Sequence, residues 1–210
     1  MSYTIVVARY NEDIHWLLSD ISNCVIYNKG EKLSTDIDVN EIMLTNVGRE
    51  SETYLNYIIT HYDHLPDTVI FTQANISDHR HYANIHYLYQ LKGEAEKYGK
   101  SVSFLSHTNS DPNRNPCWDP EWNIKEDGSF LSHNYLLNRP TSFIKWFTSN
   151  IQDTYPDPIH IYCNGLFAVK KEVILCKPLA YYQYLIQYVN HHVDPIEGHF
   201  FERSWYYIFT

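Results

Sequence analysis

The sequence of 210 residues has few cysteines, and their spacing is not that of a metal site or a disulfide framework. The four cysteines, Cys24, Cys117, Cys163 and Cys176, include no pair with C-x-x-C spacing. That spacing is typical of structural zinc sites, and small secreted domains depend on several disulfides. The sequence therefore predicts neither structural zinc nor a disulfide framework, and it favours a reducing compartment.

Long apolar runs are absent as well. No run approaches the roughly 20 apolar residues that a helix needs to span a bilayer, and no signal peptide precedes the first predicted strand. We therefore expect a soluble, cytoplasmic protein without a transmembrane segment. The sequence ends in the apolar stretch 204–210, which has no polar tail. We expect one domain over residues 1–210 that is the N-terminal part of a longer polypeptide.

Basic residues are scattered along the chain. There is no run of lysine or arginine, and the formal net charge is −9. A protein that binds nucleic acid without sequence preference needs a basic surface that neutralises phosphates. The composition therefore argues against nucleic acid as a partner. A small phosphorylated ligand is compatible with it, provided that a metal ion or a few arginines supply positive charge.

Aromatic and imidazole side chains are abundant, with 19 Tyr, 5 Trp and 12 His. Aromatic rings with a polar edge can stack on a sugar or a base and still form hydrogen bonds. Most aromatic side chains of a globular protein nevertheless lie in or near its core. The composition is therefore compatible with a carbohydrate or nucleotide site, although we expect most of these rings to be core residues.

Strand-like apolar runs alternate along the chain with segments whose apolar residues recur at helical spacing. Nearly continuous apolar runs at 3–10, 24–27 and 69–71 are typical of parallel strands that are buried on both faces. Further strand candidates lie at 42–44, 102–105 and 159–163, and helices are predicted near 14–18, 54–62, 79–98, 141–147, from 170, 179–191 and 199–209. This alternation predicts a single α/β domain with a mostly parallel central sheet flanked by helices.

The strand at 69–71 runs into a turn at 72–81 that is crowded with polar side chains. In open α/β sheets, ligands bind outside the carboxyl ends of the strands. Asp78 and His79 in this turn are suitable ligands for a divalent cation. The same turn is equally compatible with a solvated loop in which Ser77 or Asp78 caps the next helix.

A second polar turn, from Asn46 to Glu52, precedes the helix predicted at 54–62. The first turn of a helix has free N–H groups that bind anions, and Arg49 would add a charge-assisted hydrogen bond to a phosphate or carboxylate. We interpret Arg49 as an anion-binding candidate. The alternative interpretation is a glycine turn at Gly48 followed by a surface arginine.

Five segments, spread over nearly the whole chain, carry a resemblance to a known family. They are 5–13 (IVVARYNED), 27–29 (YNK), 46–50 (NVGRE), 61–67 (HYDHLPD) and 199–205 (HFFERSW). The order of a strand, an N-x-G turn that opens a helix, and a strand that ends in a polar turn resembles the nucleotide-binding half of GT-A-fold glycosyltransferases. The segments are also similar to poorly characterised domains of fungi, bacteria and large DNA viruses, including chlorella-virus glycosyltransferase domains thought to build capsid glycans.

The resemblance implies a GT-A-like, Rossmann-like fold that transfers a sugar from a UDP-sugar donor to a glycan acceptor. It implies viral capsid glycan synthesis in the host cytoplasm as the setting. It also implies a bound Mn²⁺ or Mg²⁺, held by Asp78 with His79 and His199 as companions. The family's acidic motif is replaced here by Gln73-Ala74-Asn75, and Asp78 is the first acid downstream. A site with one carboxylate would need substrate oxygens and water to complete the metal's coordination.

The residues that the resemblance places around the nucleotide sugar are Ala8, Arg9, Tyr10, Asn46, Arg49, Gln73, Asn75, Asn164 and Gly165. Glu202 is the candidate catalytic base of an inverting transfer. A retaining enzyme would not use Glu202 in that way, and an ion pair with Arg203 is the alternative interpretation.

Two other functional classes stay open. A metal-dependent hydrolase would normally carry H-E-x-x-H or H-x-x-E-H, which is absent. A non-catalytic carbohydrate-binding domain would typically be all-β.

Overall fold

The strands and helices follow the alternation of apolar periods. A computed structural model describes residues 1–34, 38–76, 84–107, 143–162 and 165–210. The strands are β1 (Tyr3–Arg9), β2 (Cys24–Asn28), β3 (Glu41–Met43), β4 (Thr68–Gln73), β5 (Leu105–His107), β6 (Ile159–Ile161) and β7 (Phe167–Lys170). The helices are α1 (Arg49–His61), α2 (Ile85–Tyr98), α3 (Phe143–Asn150), α4 (Lys171–Ile174), α5 (Leu179–Leu185) and α6 (Ile196–Ile208), with 3-10 turns at His15–Asn23, Tyr62–His64 and Ile186–Tyr188.

β1 is the central strand of the main sheet. Its residues Ile5, Val6 and Val7 are completely buried, as expected for a strand that is covered on both faces. The sheet has the order β3-β2-β1-β4-β7, and its first four strands are parallel. In this register, Ile5 lies opposite Ile70 on one side and Cys24 on the other. The predicted single α/β domain with a mostly parallel, helix-flanked sheet is therefore confirmed.

Two pairs of strands are antiparallel, which was not predicted from the sequence. β7 lies antiparallel to β4 at the edge of the main sheet, with Phe167 opposite Phe71. β5 and β6 form a separate antiparallel pair. The strand predicted at 102–105 begins only at Leu105, because the amides of Val102 and Ser103 donate instead to the Glu94 carboxylate, each at 2.9 Å.

The helix boundaries also differ from the predicted ones. α2 begins at Ile85, because the side chain of Asn84 accepts a hydrogen bond from the His86 amide at 2.9 Å and caps the helix. The helix predicted at 14–18 is replaced by a 3-10 turn that begins at His15, and the helix predicted at 179–191 ends at Leu185. None of the helices in the described ranges is long and apolar enough to cross a membrane.

The two faces of the main sheet are covered by different kinds of side chain. Successive residues of a strand point to opposite faces, so Phe71 and Ile70 of β4 belong to different clusters. We call the Phe71 side the aromatic face; it packs against α1, α3, α5 and α6 through residues such as Trp205. We call the Ile70 side the aliphatic face; it packs against α2 through residues such as Leu91. The expectation that most aromatic rings lie in the core is thus confirmed for the described residues.

Candidate functional site

The strand order creates a switch point at the carboxyl end of β1. From β1 the chain continues to β2 and β3 on one side, and it then crosses to β4 on the other side. In an open α/β sheet, ligands bind in the crevice that such a reversal leaves at the carboxyl ends of the strands. The polar residues predicted at the ends of β1, β3 and β4 therefore face one common region.

A cleft of about 650 Å³ opens at this switch point. Its lining consists of Ala8, Arg9, Tyr10, Glu12, Lys29, Asn46, Arg49, Glu50, Gln73, Asn75, Val193 and Asp194. Seven of these residues belong to the nucleotide-sugar site that the resemblance implies, namely Ala8, Arg9, Tyr10, Asn46, Arg49, Gln73 and Asn75. The volume is in the range of small-molecule binding sites.

The cleft carries equal numbers of acidic and basic side chains. The basic residues are Arg9, Lys29 and Arg49, and the acidic residues are Glu12, Glu50 and Asp194. Because the formal charges cancel, binding of an anion depends on which of the cations still have hydrogen-bond donors to offer. The contacts of each basic residue answer that question.

Arg9 is bound to the backbone of the cleft wall. Its Nε donates to the carbonyl of Glu12 at 2.9 Å, and its Nη1 donates to the carbonyls of Glu31 at 2.9 Å and Tyr10 at 3.4 Å. The Glu12 carboxylate in turn accepts hydrogen bonds from the amides of Tyr10 at 2.6 Å and Asn11 at 3.1 Å. Arg9 thus ties the loop after β1 to the loop after β2, a structural role that the sequence analysis did not anticipate.

Tyr10 is fixed beside the cleft by a close approach of two loops. A Cβ atom at Gly30 would lie 1.7 Å from the carbonyl oxygen of Tyr10, so only glycine fits at that position. The amide of Lys29 donates to the carbonyl of Arg9 at 2.9 Å, which continues the pairing of β1 with β2 up to this point. Tyr10 itself is half exposed, so its ring is accessible to a planar ligand group.

The turn between β3 and α1 has a strained backbone. Gly48 and Arg49 both lie in the left-handed region, with φ of 65° and 52°. A Cβ atom at Gly48 would lie 2.2 Å from the carbonyl oxygen of Val189, so this position requires glycine. A non-glycine residue such as Arg49 costs about 1–2 kcal/mol in this conformation. Strain of this kind persists only where surrounding contacts impose it.

Arg49 projects its guanidinium group into a set of polar side chains. Its Nη1 lies 3.1 Å and 3.3 Å from the two ring nitrogens of His199 and 3.6 Å from Asp194 Oδ1, and its Nε lies 3.8 Å from Glu50 Oε2. Neither carboxylate is within hydrogen-bond distance. The Arg49 side chain is 40% exposed. Arg49 can therefore receive an anion without breaking a close ion pair.

Glu50 is a nearly buried carboxyl group in the lining of the cleft. Burial raises the pKa of Glu50 above its ordinary value; the charge of Arg49 opposes this effect, and the negative charge of Glu202 reinforces it. Glu202, the predicted base, lies on α6 with its Oε2 4.0 Å from His199 Nδ1, and it is not among the lining residues. Glu50 therefore faces the cleft more directly than Glu202 does.

Gly165 lies behind Glu50 and outside the lining of the cleft. A Cβ atom at Gly165 would be 3.6 Å from Glu50 Cγ and 3.6 Å from the Tyr54 ring, and its φ of 65° is in the left-handed region. Three further predicted site residues, Asn164, Asp78 and His79, lie outside the described residues. Their placement relative to the cleft stays a prediction.

The described residues by themselves do not fit a metal centre. Within the described ranges, no group of three or more His, Cys, Asp or Glu side chains could hold a metal ion. His199, the predicted companion ligand, has both ring nitrogens next to the Arg49 guanidinium. A neighbouring positive charge disfavours a cation at that position. The prediction of Mn²⁺ or Mg²⁺ therefore rests on Asp78 and His79.

Five residues of the cleft lining were not predicted from the sequence: Glu12, Lys29, Glu50, Val193 and Asp194. Glu12, Lys29 and Glu50 fall within the segments 5–13, 27–29 and 46–50 that carry the resemblance, so the motifs contained a signal for them. Val193 and Asp194 had no such signal, because the connection between α5 and α6 reaches the cleft only through tertiary packing.

The fold and the cleft together define a single-domain α/β protein with a mostly parallel sheet and a ligand-sized crevice at its switch point. The chain belongs to the family described as protein of unknown function (DUF3431), whose model matches residues 5–210. This match includes every residue that lines the cleft. Comparison with curated proteins gives no match.

Proposed function

We propose that the protein is a metal-dependent glycosyltransferase that transfers a sugar from a UDP-sugar to a hydroxyl group of a glycan acceptor. The observation that carries the proposal is the cleft at the switch point, whose lining contains seven of the residues that the GT-A resemblance implies for the donor. The setting implied by the resemblance, synthesis of viral capsid glycans, belongs to the same proposal.

Several features of the cleft suit a nucleotide diphosphate. Tyr10 offers an accessible ring on which a base can stack. Arg49 offers a guanidinium group for charge-assisted hydrogen bonds to phosphate oxygens. Asn46 after β3, and Gln73 and Asn75 at the end of β4, supply amide groups in the cleft lining, where they can bond to the ribose or the sugar.

The proposed reaction breaks the bond between the anomeric carbon and the diphosphate oxygen, and the electron pair leaves with the diphosphate. The acceptor hydroxyl forms the new bond to that carbon and gives its proton to a carboxylate. Arg49 would stabilise the charge that develops on the diphosphate. Glu202 is the proposed base of an inverting transfer, with His199 beside it on α6.

The proposal includes a divalent cation held by Asp78 and His79, which lie outside the described residues. Bound there, it would act as a Lewis acid on the diphosphate oxygens. The roles given above to Arg49, Tyr10 and Glu202 do not depend on it.

Thermal unfolding with different ligands tests the proposal. UDP together with Mn²⁺, at about 100 times its Kd, should stabilise the protein by about 2.7 kcal/mol. For a chain of this length, that corresponds to a rise in Tm of about 5–10 °C. UDP-sugars with Mn²⁺ should stabilise the protein at least as well, and release of UDP from one of them should be measurable.

The pattern of ligand effects separates the three classes. Stabilisation by free sugars alone would indicate a carbohydrate-binding domain, and stabilisation by Mn²⁺ alone would favour a hydrolase. No effect of UDP at any Mn²⁺ concentration would contradict the proposal. Asp78→Ala should abolish the Mn²⁺-dependent binding of UDP. The matched variant Asp63→Ala, in the 3-10 turn after α1, should bind UDP as the wild type does. Unchanged binding by Asp78→Ala would refute Asp78 as a metal ligand.

A further inference from the structure

Lys29 lines the cleft, yet its ammonium group points into the protein interior. Its side chain is only 5% exposed, and that of its ion-pair partner Glu52 is 8% exposed. The Lys29 Nζ donates to the carbonyl of Val47 at 2.5 Å and to the carbonyl of Arg49 at 2.6 Å. It also lies 2.8 Å from Glu52 Oε2. Lysine is rarely buried without such partners.

The three oxygen atoms around Lys29 equal the number of protons on its ammonium group. A lysine side chain has three donors and no acceptor. Lys29 donates hydrogen bonds to the carbonyls of Val47 and Arg49, and its charge is balanced at ion-pair distance by the Glu52 carboxylate. Its position in the lining therefore does not make it a ligand-binding residue.

The groups that Lys29 binds belong to the turn between β3 and α1. Two of its partners are backbone carbonyls on either side of Gly48, and one of them belongs to Arg49 itself, the non-glycine residue with positive φ. Glu52 is anchored in the first turns of α1, where its amide donates to the carbonyl of Gly48 at 3.1 Å. Lys29 thus connects the end of β2 to both sides of the strained turn.

This backbone conformation directs the Arg49 side chain toward α6. Its Cδ lies 3.7 Å from the position of a Cβ atom at Gly198, so the stem of Arg49 crosses the helix where no side chain stands in the way. The guanidinium group then reaches His199 and Asp194 at the rim of the cleft. A different φ at Arg49 would aim the side chain elsewhere.

We propose that Lys29 is a positioning residue, which holds the turn between β3 and α1 so that Arg49 is presented to the phosphate groups of a nucleotide diphosphate. The inference rests on the proposed function for the identity of the ligand. The part concerning the turn does not depend on it.

Hydrogen exchange tests the effect on the turn without any ligand. In the double variant Lys29→Met, Glu52→Gln, the ion pair is replaced by neutral groups, so that neither member of the pair is left as a buried charge without the other. We expect amide exchange in the segment 45–53 to become about tenfold faster, while exchange in α2 stays unchanged. Unchanged exchange in 45–53 would overturn the proposal.

Binding of UDP in the presence of Mn²⁺, measured by calorimetry, tests the route through Arg49. We expect the double variant to bind UDP about tenfold more weakly, although the Lys29 ammonium group is bound to the turn between β3 and α1; tenfold corresponds to about 1.4 kcal/mol. Adding the two substitutions to Arg49→Ala should weaken binding no further than Arg49→Ala alone, because the affected group is already absent. Additive effects would overturn the positioning role.

A matched variant separates positioning from general loss of stability. Asp20 is buried and accepts hydrogen bonds from the hydroxyls of Tyr3 at 2.7 Å and Tyr89 at 3.0 Å, away from the cleft. Asp20→Asn should lower Tm but leave the affinity for UDP as it is in the wild type. A loss of affinity equal to that of the Lys29 double variant would overturn the positioning role.

If the wild type itself fails to bind UDP, the proposed function falls together with the ligand assignment. If the wild type binds UDP and the Lys29 double variant binds it equally well, only the positioning role falls.

Discussion

Both faces of the sheet carry buried clusters, and in the part of the chain that the structure describes the helix that begins at the cleft, α1, packs on the aromatic face. On that face the Trp205 ring lies 5.4 Å from Phe167 and 5.7 Å from Tyr54, measured between ring centroids. Tyr54 is one helical turn after Glu50 on α1, so the packed rings directly support the helix that begins at Arg49. The aliphatic face is covered by α2, from which no residue lines the cleft.

The comparison shows what the many aromatic residues do in this protein. Among the described residues, Tyr10 is the aromatic residue that lines the cleft, whereas the others lie mainly in the core or at its edge. Their large rings fill the space between the sheet and the helices α1, α3, α5 and α6, and so they hold α1 and α6 at the cleft. Aromatic composition is therefore weak support for a sugar site by itself, and the arrangement of polar residues at the strand ends is stronger support.

The largest expected effect comes from removing a ring of the aromatic face. Trp205→Ala should lower the free energy of unfolding by about 3–5 kcal/mol and should also weaken UDP binding, because α1 and α6 lose their common support. Leu91→Ala on the aliphatic face should cost about 2–5 kcal/mol without a change in UDP affinity. Urea unfolding and calorimetric titration measure the two quantities. The distinction between the faces fails if both variants lose affinity to the same degree.

A smaller effect is expected at the start of the helix that covers the aliphatic face. Asn84→Ala removes the side chain that caps α2 through the His86 amide, and it should cost about 1 kcal/mol. Asn84→Asp keeps the acceptor oxygen and should be close to wild type in urea unfolding. A loss as large as that of Leu91→Ala would show that this residue does more than cap the helix.

The smallest expected effect concerns the carboxyl group where the aromatic face meets the cleft. Since burial raises the pKa of Glu50, the folded state binds this proton more tightly than the unfolded state does, and the charged form costs stability above the ordinary pKa. Glu50→Gln should therefore raise Tm near neutral pH, by less than Asn84→Ala lowers it.

The sign of this effect sets its pH dependence. The advantage of Glu50→Gln should shrink as the pH falls toward the ordinary carboxyl pKa, because the wild-type group then becomes neutral in the folded state. Thermal unfolding at a series of pH values measures it. An advantage that grows toward low pH would mean that Glu50 is stabilised as the carboxylate.

Much of the fold and about half of the cleft lining could be predicted from the sequence. The runs at 3–10, 24–27 and 69–71 identified the three central strands. The resemblance named Ala8, Tyr10, Asn46, Arg49 and Asn75 as site residues, and all five line one cleft. Parallel strands end at a common edge, so residues that follow these strands meet there. The direction of β7 and the place of Asp194 at the cleft were not predictable in this way.

The sequence by itself determined most of the strands and helices, because the periods of 2 and 3.6 residues are properties of neighbouring positions. Tertiary structure alone decided which groups each charged side chain binds. Arg9 is bound by carbonyls up to 22 positions away, Lys29 by carbonyls 18 and 20 positions away, and Arg49 meets His199 across 150 positions. A charged side chain acts through the partners around it, and those partners come together only when distant parts of the chain pack.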